Sequence, residues 1–425
     1  MSKLYLVGGA VRDILLDKEP HDKDYVVIGS TPDEMISLGF KQVGNDFPVF
    51  LHPETGDEYA LARTERKIGD KHTDFAFSFG PEVTLEMDLR RRDLTVNSLA
   101  QDLETGEIID YFGGQEDLKN KILKHIDDDF ALDPLRVLRV CRFASQLNFM
   151  IHSDTIILCR QMTKLGMLEH LTPERVWKEL EKALYTDKFD LFLHYLQLCN
   201  AIQVILPEVS ILDEIPENIE YHPEVTTWNH LMLCFKELRK RCQVKDPHER
   251  SLINFGVLCH DLGKQLTDKS KWPAHHGHTE LGIDVIDKMC DRLKIPNEYR
   301  DFGKLACKYH MNFYEFLDMN VKTQYDKINE LTKFKDFTNL KLLKGVHICD
   351  MFGKARKVSD TKYQNMLSTL TRMDIIFNIL KDKGLDDLPK ETQEHLSTFS
   401  GEQFGKLYRD ARISYLKSKL KENNE

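Results

Sequence analysis

Two groups of residues in this 425-residue chain have the types and spacing for chemistry at phosphorus. The first lies in LYLVGGAVRDILLDKEPHDKDYVVI, residues 4–28, which reads as a buried strand, a double-glycine turn, the start of a helix and a second strand entered through Asp22 and Asp24. Residues i and i+2 of a strand share a face, so these two carboxylates can be aimed at one spot, and hard oxygen ligands suit Mg²⁺. Gly8 and Gly9 leave room for a backbone to approach a triphosphate. Arg12 follows where its guanidinium fork can reach a phosphate. The pattern suggests transfer of a nucleotidyl group. The second group is His230, His260, Asp261 and Asp350, a mixed nitrogen and oxygen set suited to a divalent transition metal that activates water. His275, His276, His278 and His310 are candidates to extend it or to line its surroundings.

Asp133 and Arg136 carry a third chemical possibility. Cytosine and adenine each present an exocyclic amino donor beside a ring-nitrogen acceptor, and uracil and guanine present the reverse. A carboxylate beside a guanidinium accepts from the amino group and donates to the ring nitrogen, which selects C and A together. The local alternative is that Asp133 caps the helix ahead of Pro134 and ties Arg136 at i+3. Glu58, opening the run EYALAR, is a candidate third acid beside Asp22 and Asp24. Arg63 and Arg66 either meet RNA phosphates or pair with Glu65 and Asp70.

These residues need a scaffold of two kinds. Up to about residue 130 the sequence mixes strand-like runs at 5–7, 25–28, 49–52, 58–63 and 108–110 with helical patterns at 31–37 and 84–90, an α+β unit. Pro32 suits a first helical position. The stretch KIGDKHTDFAFSFGP, residues 67–81, reads as a mobile loop near the site. From Asp133 onward, apolar residues recur at helical spacing in DPLRVLRVCRFASQL, PERVWKELEKALYT and FDLFLHYLQLC. A segment from Leu206 to Val225, marked by Pro207, Pro216 and Pro223, reads as a linker. A histidine-bearing helical region follows, and the polar helical end finishes with Lys417, Lys419 and Lys421.

The length calls for two to four domains. A net charge of -10 argues against nonspecific coating of nucleic acid, although arginines cluster at 90–92 and at Arg136, Arg139 and Arg142. The nine cysteines form no C-x-x-C pair, which fits reduced, buried thiols. No apolar run approaches the roughly 18 residues of a membrane span and no secretory leader is evident, so the expected setting is cytoplasmic, without membrane contact.

GGAVRD at 8–13, the Asp22/Asp24 pair, RRRDLTVNSLA at 90–100 and DPLRVLRVCRF at 133–143 resemble the ordered motifs of class II tRNA nucleotidyltransferases. LCHDLGK at 258–264 is similar to the HD-domain version found in bacterial CCA-adding enzymes. The resemblance implies a polymerase-β-like nucleotidyltransferase head (1–132) followed by all-helical parts. These are a neck with the base-recognition helix (133–205), a linker (206–227), an HD phosphohydrolase body (228–350) and a tRNA-binding tail (351–425).

It also implies roles: Gly9 and Arg12 contacting the nucleotide, Asp22 and Asp24 holding Mg²⁺, Arg92, Arg136 and Arg139 completing the nucleotide site with Asp133, and Asp93 near the ribose. The expected substrates are tRNA, CTP and ATP, in a monomer or homodimer. The family usually has Glu where this chain has Leu132. The order H…HD…D implies a phosphohydrolase acting on 2′,3′-cyclic phosphate, 2′-nucleotide or other phosphate esters with Ni²⁺, or with Mg²⁺. Two rivals share features: a poly(A) polymerase or CC-only or A-only enzyme, and a catalytically silent RNA-binding scaffold.

Overall fold

The computed structural model describes residues 2–20, 22–43, 49–67 and 75–422. The chain divides at Pro207/Glu208 into two compact units.

The first unit is built on a sheet whose strands are β1 (Lys3–Val7), β2 (Asp24–Ile28), β3 (Lys41–Gln42), β4 (Val49–Leu51), β5 (Glu58–Leu61), β8 (Leu99–Asp102) and β9 (Ile108–Asp110), in the order β3-β4-β5-β2-β1-β8-β9. A separate hairpin pairs β6 (Arg63–Lys67) with β7 (Phe75–Phe79). Part of the stretch expected to be a loop is therefore strand. The alternation in FAFSF is the period-2 signal that the Gly-rich surroundings obscured, and residues 68–74 lie outside the described residues.

The sheet is antiparallel except where β2 runs parallel to β5. Its two faces bury different side chains. Tyr5, Val7, Val26 and Ala100 pack on one face with Leu85 and Leu89 of α3 (Leu85–Arg90), whereas Val27, Phe50, Tyr59 and Leu61 pack on the other with Met35 of α2 (Pro32–Ser37). Adjacent Val26 and Val27 thus point to opposite faces, as the pleat demands. Phe50, wholly buried, contributes roughly 1.5–3 kcal/mol of transfer free energy. The first helix of the chain, α1 (Gly9–Leu15), follows β1, and α2 begins with a capping box of Thr31 and Glu34, with Pro32 as its first residue. After α4 (Gly114–Asn120) the unit becomes helical: α5 (Leu135–Leu147), α6 (Ser153–Lys164), α7 (Pro173–Leu184), α8 (Phe189–Leu198) and α9 (Ile202–Ile205). Val137, Leu138, Val140, Cys141 and Ala144 of α5 are buried, with Arg136 and Arg139 on the less covered side.

The short α10 (Pro207–Ser210) spans the division, and the rest of the Pro-marked stretch packs into the second unit, with Val209, Leu212 and Ile215 buried. The second unit is all helical: α11 (Thr227–Arg241), α12 (Pro247–Cys259), α13 (His278–Leu293), α14 (Asn297–Tyr309), α15 (Asn312–Glu315), α16 (Val321–Thr332), α17 (Thr338–Phe352), α18 (Asp360–Leu380), α19 (Lys390–Ser397) and α20 (Gly401–Glu422). The Lys-rich end lies on α20, which still buries Ile413, Leu416 and Leu420. Of the nine cysteines all are free and only Cys242 is not fully buried. No helix among the described residues is long and apolar enough to cross a membrane.

Candidate functional sites

A cavity of about 740 Å³ in the first unit is lined by Gly9, Arg12, Asp22, Asp24, Arg92, Asp93, Asp133, Arg136 and Arg139, every nucleotide-site residue expected from the sequence, together with Glu58 and Arg63. Asp24 opens β2 and Asp22 lies in the bend just before it, so only one of the pair is held by the sheet. Glu58 is the register partner of Asp24 on the parallel neighbour β5. Directly paired residues of adjacent strands project to the same side about 5 Å apart, and all three carboxylates are exposed to the cavity. Three oxygen donors converging on one solvent-filled edge fit a hard divalent cation.

The glycine turn is fixed by Arg92. Gly8 has φ 73°, and a Cβ there would lie 2.5 Å from the Arg92 guanidinium. Only glycine tolerates both the left-handed backbone and that approach. Arg92 is also 3.5 Å from Asp88, a wholly buried acid within α3. Asp88 additionally accepts from the Arg63 backbone N–H at 3.2 Å and from Arg91 at 2.9 Å. Burial opposes the charge on Asp88, yet Arg91 and Arg92 hold its carboxyl below the usual carboxylate range.

Arg12 is buried and donates to Asn97 Oδ1 at 2.7 Å, and Asn97 in turn donates to Asp93 Oδ1 at 2.9 Å. The other Asp93 oxygen takes Arg139 at 2.7 Å. Burial would raise the Asp93 pKa, but Arg139 and Asn97 reverse this and bring it to about 2. Arg12 and Arg139 both lie over the Phe143 ring, at 5.3 and 5.4 Å from its centroid. The two cations are thereby held at fixed positions along the cavity wall.

Asp133 and Arg136 face the same cavity but do not pair by side chains. Asp133 Oδ1 accepts from the Leu135 N–H at 3.1 Å and Oδ2 takes Arg175 at 2.7 Å. Arg136 donates to the backbone carbonyls of Asp129 and Arg91, at 3.0 and 2.5 Å. The capping alternative is thus present for Asp133, whereas the i+3 side-chain tie is replaced by these carbonyls. Leu132 ends the short helical turn that presents the Asp129 carbonyl. Arg175, in the first turn of α7, was not singled out from the sequence, because nothing in PERVWKEL distinguishes an arginine packed against α5 from an exposed one. Asn97 and Asp88 were missed for the same reason.

The second unit gathers His230, His260, Asp261 and Asp350 into one buried cluster. His230 Nε2 lies 3.3 Å from Asp350 and 3.8 Å from Asp261, and His260 Nε2 lies 3.2 Å from Asp261. His278 and His310 join it, each near the other Asp261 oxygen at 3.5 and 3.6 Å, with their Nε2 atoms 3.2 Å apart. Their second nitrogens face carbonyl oxygens: Nδ1 of His260 with Val257, of His278 with His275, and of His310 with Cys307, at 2.7, 2.8 and 2.9 Å. A carbonyl can only accept, so each Nδ1 carries hydrogen; Nε2 of His278 and of His310 then turns a lone pair inward, whereas Nε2 of His260 faces Asp261 and frees its lone pair only when a cation replaces the proton it holds there. His230 Nδ1 is held likewise by Gly353 O and Glu224, both at 3.1 Å.

That outer bonding is how proteins orient metal-binding imidazoles. Two lone pairs facing each other at 3.2 Å call for a cation between or beside them, so the donor set fits a transition metal. His275 instead bonds the Pro216 carbonyl at 2.9 Å, and His276 is exposed on the surface. Cys234, 3.4 Å from His230 Nε2, and Lys264, 2.9 Å from Asp261, also belong to the cluster. Gly263 is required by packing: a Cβ there would lie 1.9 Å from the His278 carbonyl oxygen.

Burial alone would push His260 down; the Asp261 carboxylate overrides this and raises it to about 10. For His310 burial prevails over Asp261 and brings the imidazole down to about 3. Asp261, despite burial, is held well below the usual carboxylate range by His260 and Lys264.

Residues 4–124 match the family described as Poly A polymerase head domain, and residues 148–212 match the probable RNA and SrmB-binding site of polymerase A. The fold of the whole chain is that of the CCA-adding enzymes, an α+β nucleotidyltransferase-type head with a helical remainder, as expected from the sequence. An apo CCA-adding enzyme superposes with a TM-score of 0.64 at 20% identity, covering 98% of this chain and 88% of that one. A CCA-adding enzyme in complex with ATP gives 0.63 at 22%, covering 98% and 86%. A tRNA nucleotidyltransferase complexed with a primer tRNA and an incoming ATP analogue gives 0.58 at 23%, covering 88% and 96%.

Proposed function

We propose that the protein adds the 3′-terminal CCA of tRNA from CTP and ATP without a nucleic-acid template. The observation that carries this is the convergence of three glycine-turn, carboxylate and arginine motifs, separated by up to 130 residues of sequence, on the single cavity that also holds Asp133 and Arg136. The similar solved structures described with ATP, with CTP and with primer tRNA support the choice of substrates.

In this reading the tRNA 3′-hydroxyl attacks the α-phosphate of the bound nucleotide, a P–O bond forms to the tRNA, and pyrophosphate leaves. Asp22, Asp24 and Glu58 would hold Mg²⁺, which when bound supplies neutralisation of the charge that develops on the phosphates. Arg12, Arg92 and Arg139 pull the triphosphate into the cavity, and the open backbone at Gly8–Gly9 lets it approach. Asp93 fixes Arg139 and Asn97 at the sugar end. Asp133 retains acceptor capacity beyond its bonds to Leu135 and Arg175, because each carboxylate oxygen has two lone pairs. It accepts from the amino group of C or A while Arg136 donates to the ring nitrogen. A tRNA transcript lacking its 3′ end, offered CTP alone, ATP alone and both, should gain two residues with CTP and a third only when ATP is also present. Long A tails, a halt after C or no addition would each select a rival and end this reading.

The second unit is read as a metal-dependent phosphohydrolase acting on 2′,3′-cyclic phosphates, 2′-nucleotides and other phosphate esters. Four inward-facing imidazole nitrogens around two buried carboxylates favour it. His230, His260, Asp261 and Asp350, with His278 and His310, would hold Ni²⁺ or Mg²⁺, which supplies Lewis acidity toward the ester when bound. Release of no phosphate with Ni²⁺, Co²⁺, Mn²⁺ or Mg²⁺ would leave the cluster a structural one. In the cell we place the protein in the cytoplasm.

A further inference from the structure

We propose that a small pocket beside the His/Asp cluster is a nucleobase subsite, which seats the base of a nucleotide while the cluster holds the phosphate to be cleaved. The proposal rests on the hydrolytic reading of the second unit and adds to it the class of group that carries the phosphate.

The pocket, about 210 Å³, lies among Phe313, Tyr314, His347, Asn365, Met366 and Thr369. Complete small-molecule sites are usually about 300–1,000 Å³, so this one takes a fragment of a ligand. Two of its walls are continuous with the cluster. The Tyr314 hydroxyl donates to Asp350 Oδ2 at 3.0 Å, and His347 Nδ1 lies 3.2 Å from the His310 carbonyl oxygen. A group seated here therefore stands one side chain away from the candidate ligands Asp350 and His310.

The chemistry of the walls selects the fragment. Phe313 stacks on His347 with centroids 4.8 Å apart and rings tilted by 17°, and Tyr314 meets the same imidazole edge-on at 4.6 Å. Aromatic and thioether walls favour a flat, polarizable ring. His347 is fully buried. Its Nδ1 faces a carbonyl and so carries the hydrogen, which leaves Nε2 as an acceptor, and that atom has no hydrogen-bond partner among the described residues. A buried acceptor without a donor is rare and calls for one. A phosphate oxygen would meet it lone pair to lone pair, whereas a nucleobase N–H, admitted when the side chains now covering the atom move aside, satisfies it. The inner wall thus favours the base over the anion, and the cation of the lining, Lys362, stands at the outer rim. The exposed Lys362 and Asn365 of α18 leave the pocket an open mouth.

The test compares two phosphomonoesters of secondary alcohols, adenosine 2′-monophosphate and the base-free 2-glycerophosphate, on the Ni²⁺-loaded full-length protein. His347→Phe keeps the ring stack and deletes the acceptor; Asn365→Trp fills the mouth from an exposed position. For both variants KM for the nucleotide should rise ~10-fold, the scale of one hydrogen bond in His347→Phe and of one base-stacking contact in Asn365→Trp, with glycerophosphate cleavage within about twofold of wild type. Equal losses on both esters, or an unchanged nucleotide KM in both variants, would overturn the subsite.

The same variants assayed on 2′,3′-cyclic AMP and on a tRNA ending in a 2′,3′-cyclic phosphate identify the source, and a selective loss on either supports the proposal. Should the wild type cleave neither monoester, calorimetric titration with adenosine 2′-monophosphate separates the failures. A binding event lost in Asn365→Trp retains the subsite and removes the hydrolytic reading, and identical isotherms remove both.

Discussion

The two candidate sites handle acidic groups in opposite ways. In the first unit Asp22, Asp24 and Glu58 stand exposed at the edge of a solvent-filled cavity, and the arginines opposite are held by Asp93, Asn97, Asp88 and backbone carbonyls. In the second unit Asp261 and Asp350 are buried and already surrounded by imidazoles and Lys264. An exposed carboxylate set costs little to leave without a cation, which suits a metal that arrives and leaves with each nucleotide. A buried set is stable only when neutralised from within, which suits a resident ion. On the proposed reading, one site is organised around a ligand that turns over, and the other around a permanent charge.

The sharpest way to break this contrast is to remove one acid from each. Asp24→Ala should lower nucleotide addition by about 10³-fold or more, the scale expected when charge stabilisation at a transferring phosphoryl group is lost. It should leave ester hydrolysis and thermal stability near wild type, because the residue is exposed. Asp261→Ala should do the reverse for activity and also lower the melting temperature of the metal-stripped protein, since it leaves His260 as an uncompensated buried cation and Lys264 with Glu217 as its remaining carboxylate partner. Steady-state assays of both activities with a calorimetric scan decide it. A loss of both activities in either variant would mean that the sites are not separable.

A smaller effect should follow from Arg175→Ala. Its guanidinium occupies one oxygen of Asp133 at 2.7 Å, so it acts through Asp133 and is a positioning residue. Discrimination of CTP over UTP should fall by about 10-fold, equivalent to one charge-assisted hydrogen bond, while overall CTP incorporation changes less. Arg175→Lys should restore part of the selectivity. An equal fall in CTP and UTP incorporation would show that Arg175 only supports the fold.

The contrast also predicts opposite pH dependences. Asp93 is depressed to about 2 from its ordinary value of 3.8, so its contribution is fully present above about pH 4 and is lost as pH falls toward 2. The sum is about 2 kcal/mol. His260 is raised from 6.5 to about 10 in the metal-free cluster. Its contribution is therefore fully present below about pH 6.5 and disappears as pH rises through 10. Denaturant unfolding of metal-stripped protein should show the acid loss diminished in Asp93→Asn and the alkaline loss diminished in His260→Gln. Acid and alkaline limbs unchanged in both variants would show that neither group carries the dependence.

How much of this could be read in the sequence follows the range of the interactions. Asp22, Asp24 and the glycine pair are a local pattern of strand, turn and strand, and the order HDLGK is equally local, so both centres were visible. The α+β head and helical remainder followed from periodicity. Arg175, Asn97, Asp88, Lys264 and Tyr314 act across helix packing, and no spacing rule links Arg175 to Asp133, 42 residues earlier. The hairpin of Arg63–Lys67 with Phe75–Phe79 was hidden because glycine and polar residues outweighed a five-residue alternation. Glu58 was legible as a candidate, but its pairing with Asp24 needed a parallel crossover that only the fold supplies.

Leu132 sets the smallest test. The resemblance places a glutamate at this position, which would orient Arg136 by charge. Here the guanidinium is already fixed by the carbonyls of Asp129 and Arg91, two bonds that depend on backbone shape and not on the side chain at 132. Each such bond to a charged group is worth about 1.5–3 kcal/mol, more than the roughly 0–1 kcal/mol that a partly exposed carboxylate would add after screening. Leu132→Glu should therefore change misincorporation of UTP and GTP by less than about threefold. A tenfold gain in fidelity would show that the carbonyls hold Arg136 without aligning it, and would make base selection, like cation binding in the head, a property completed only by an added charge.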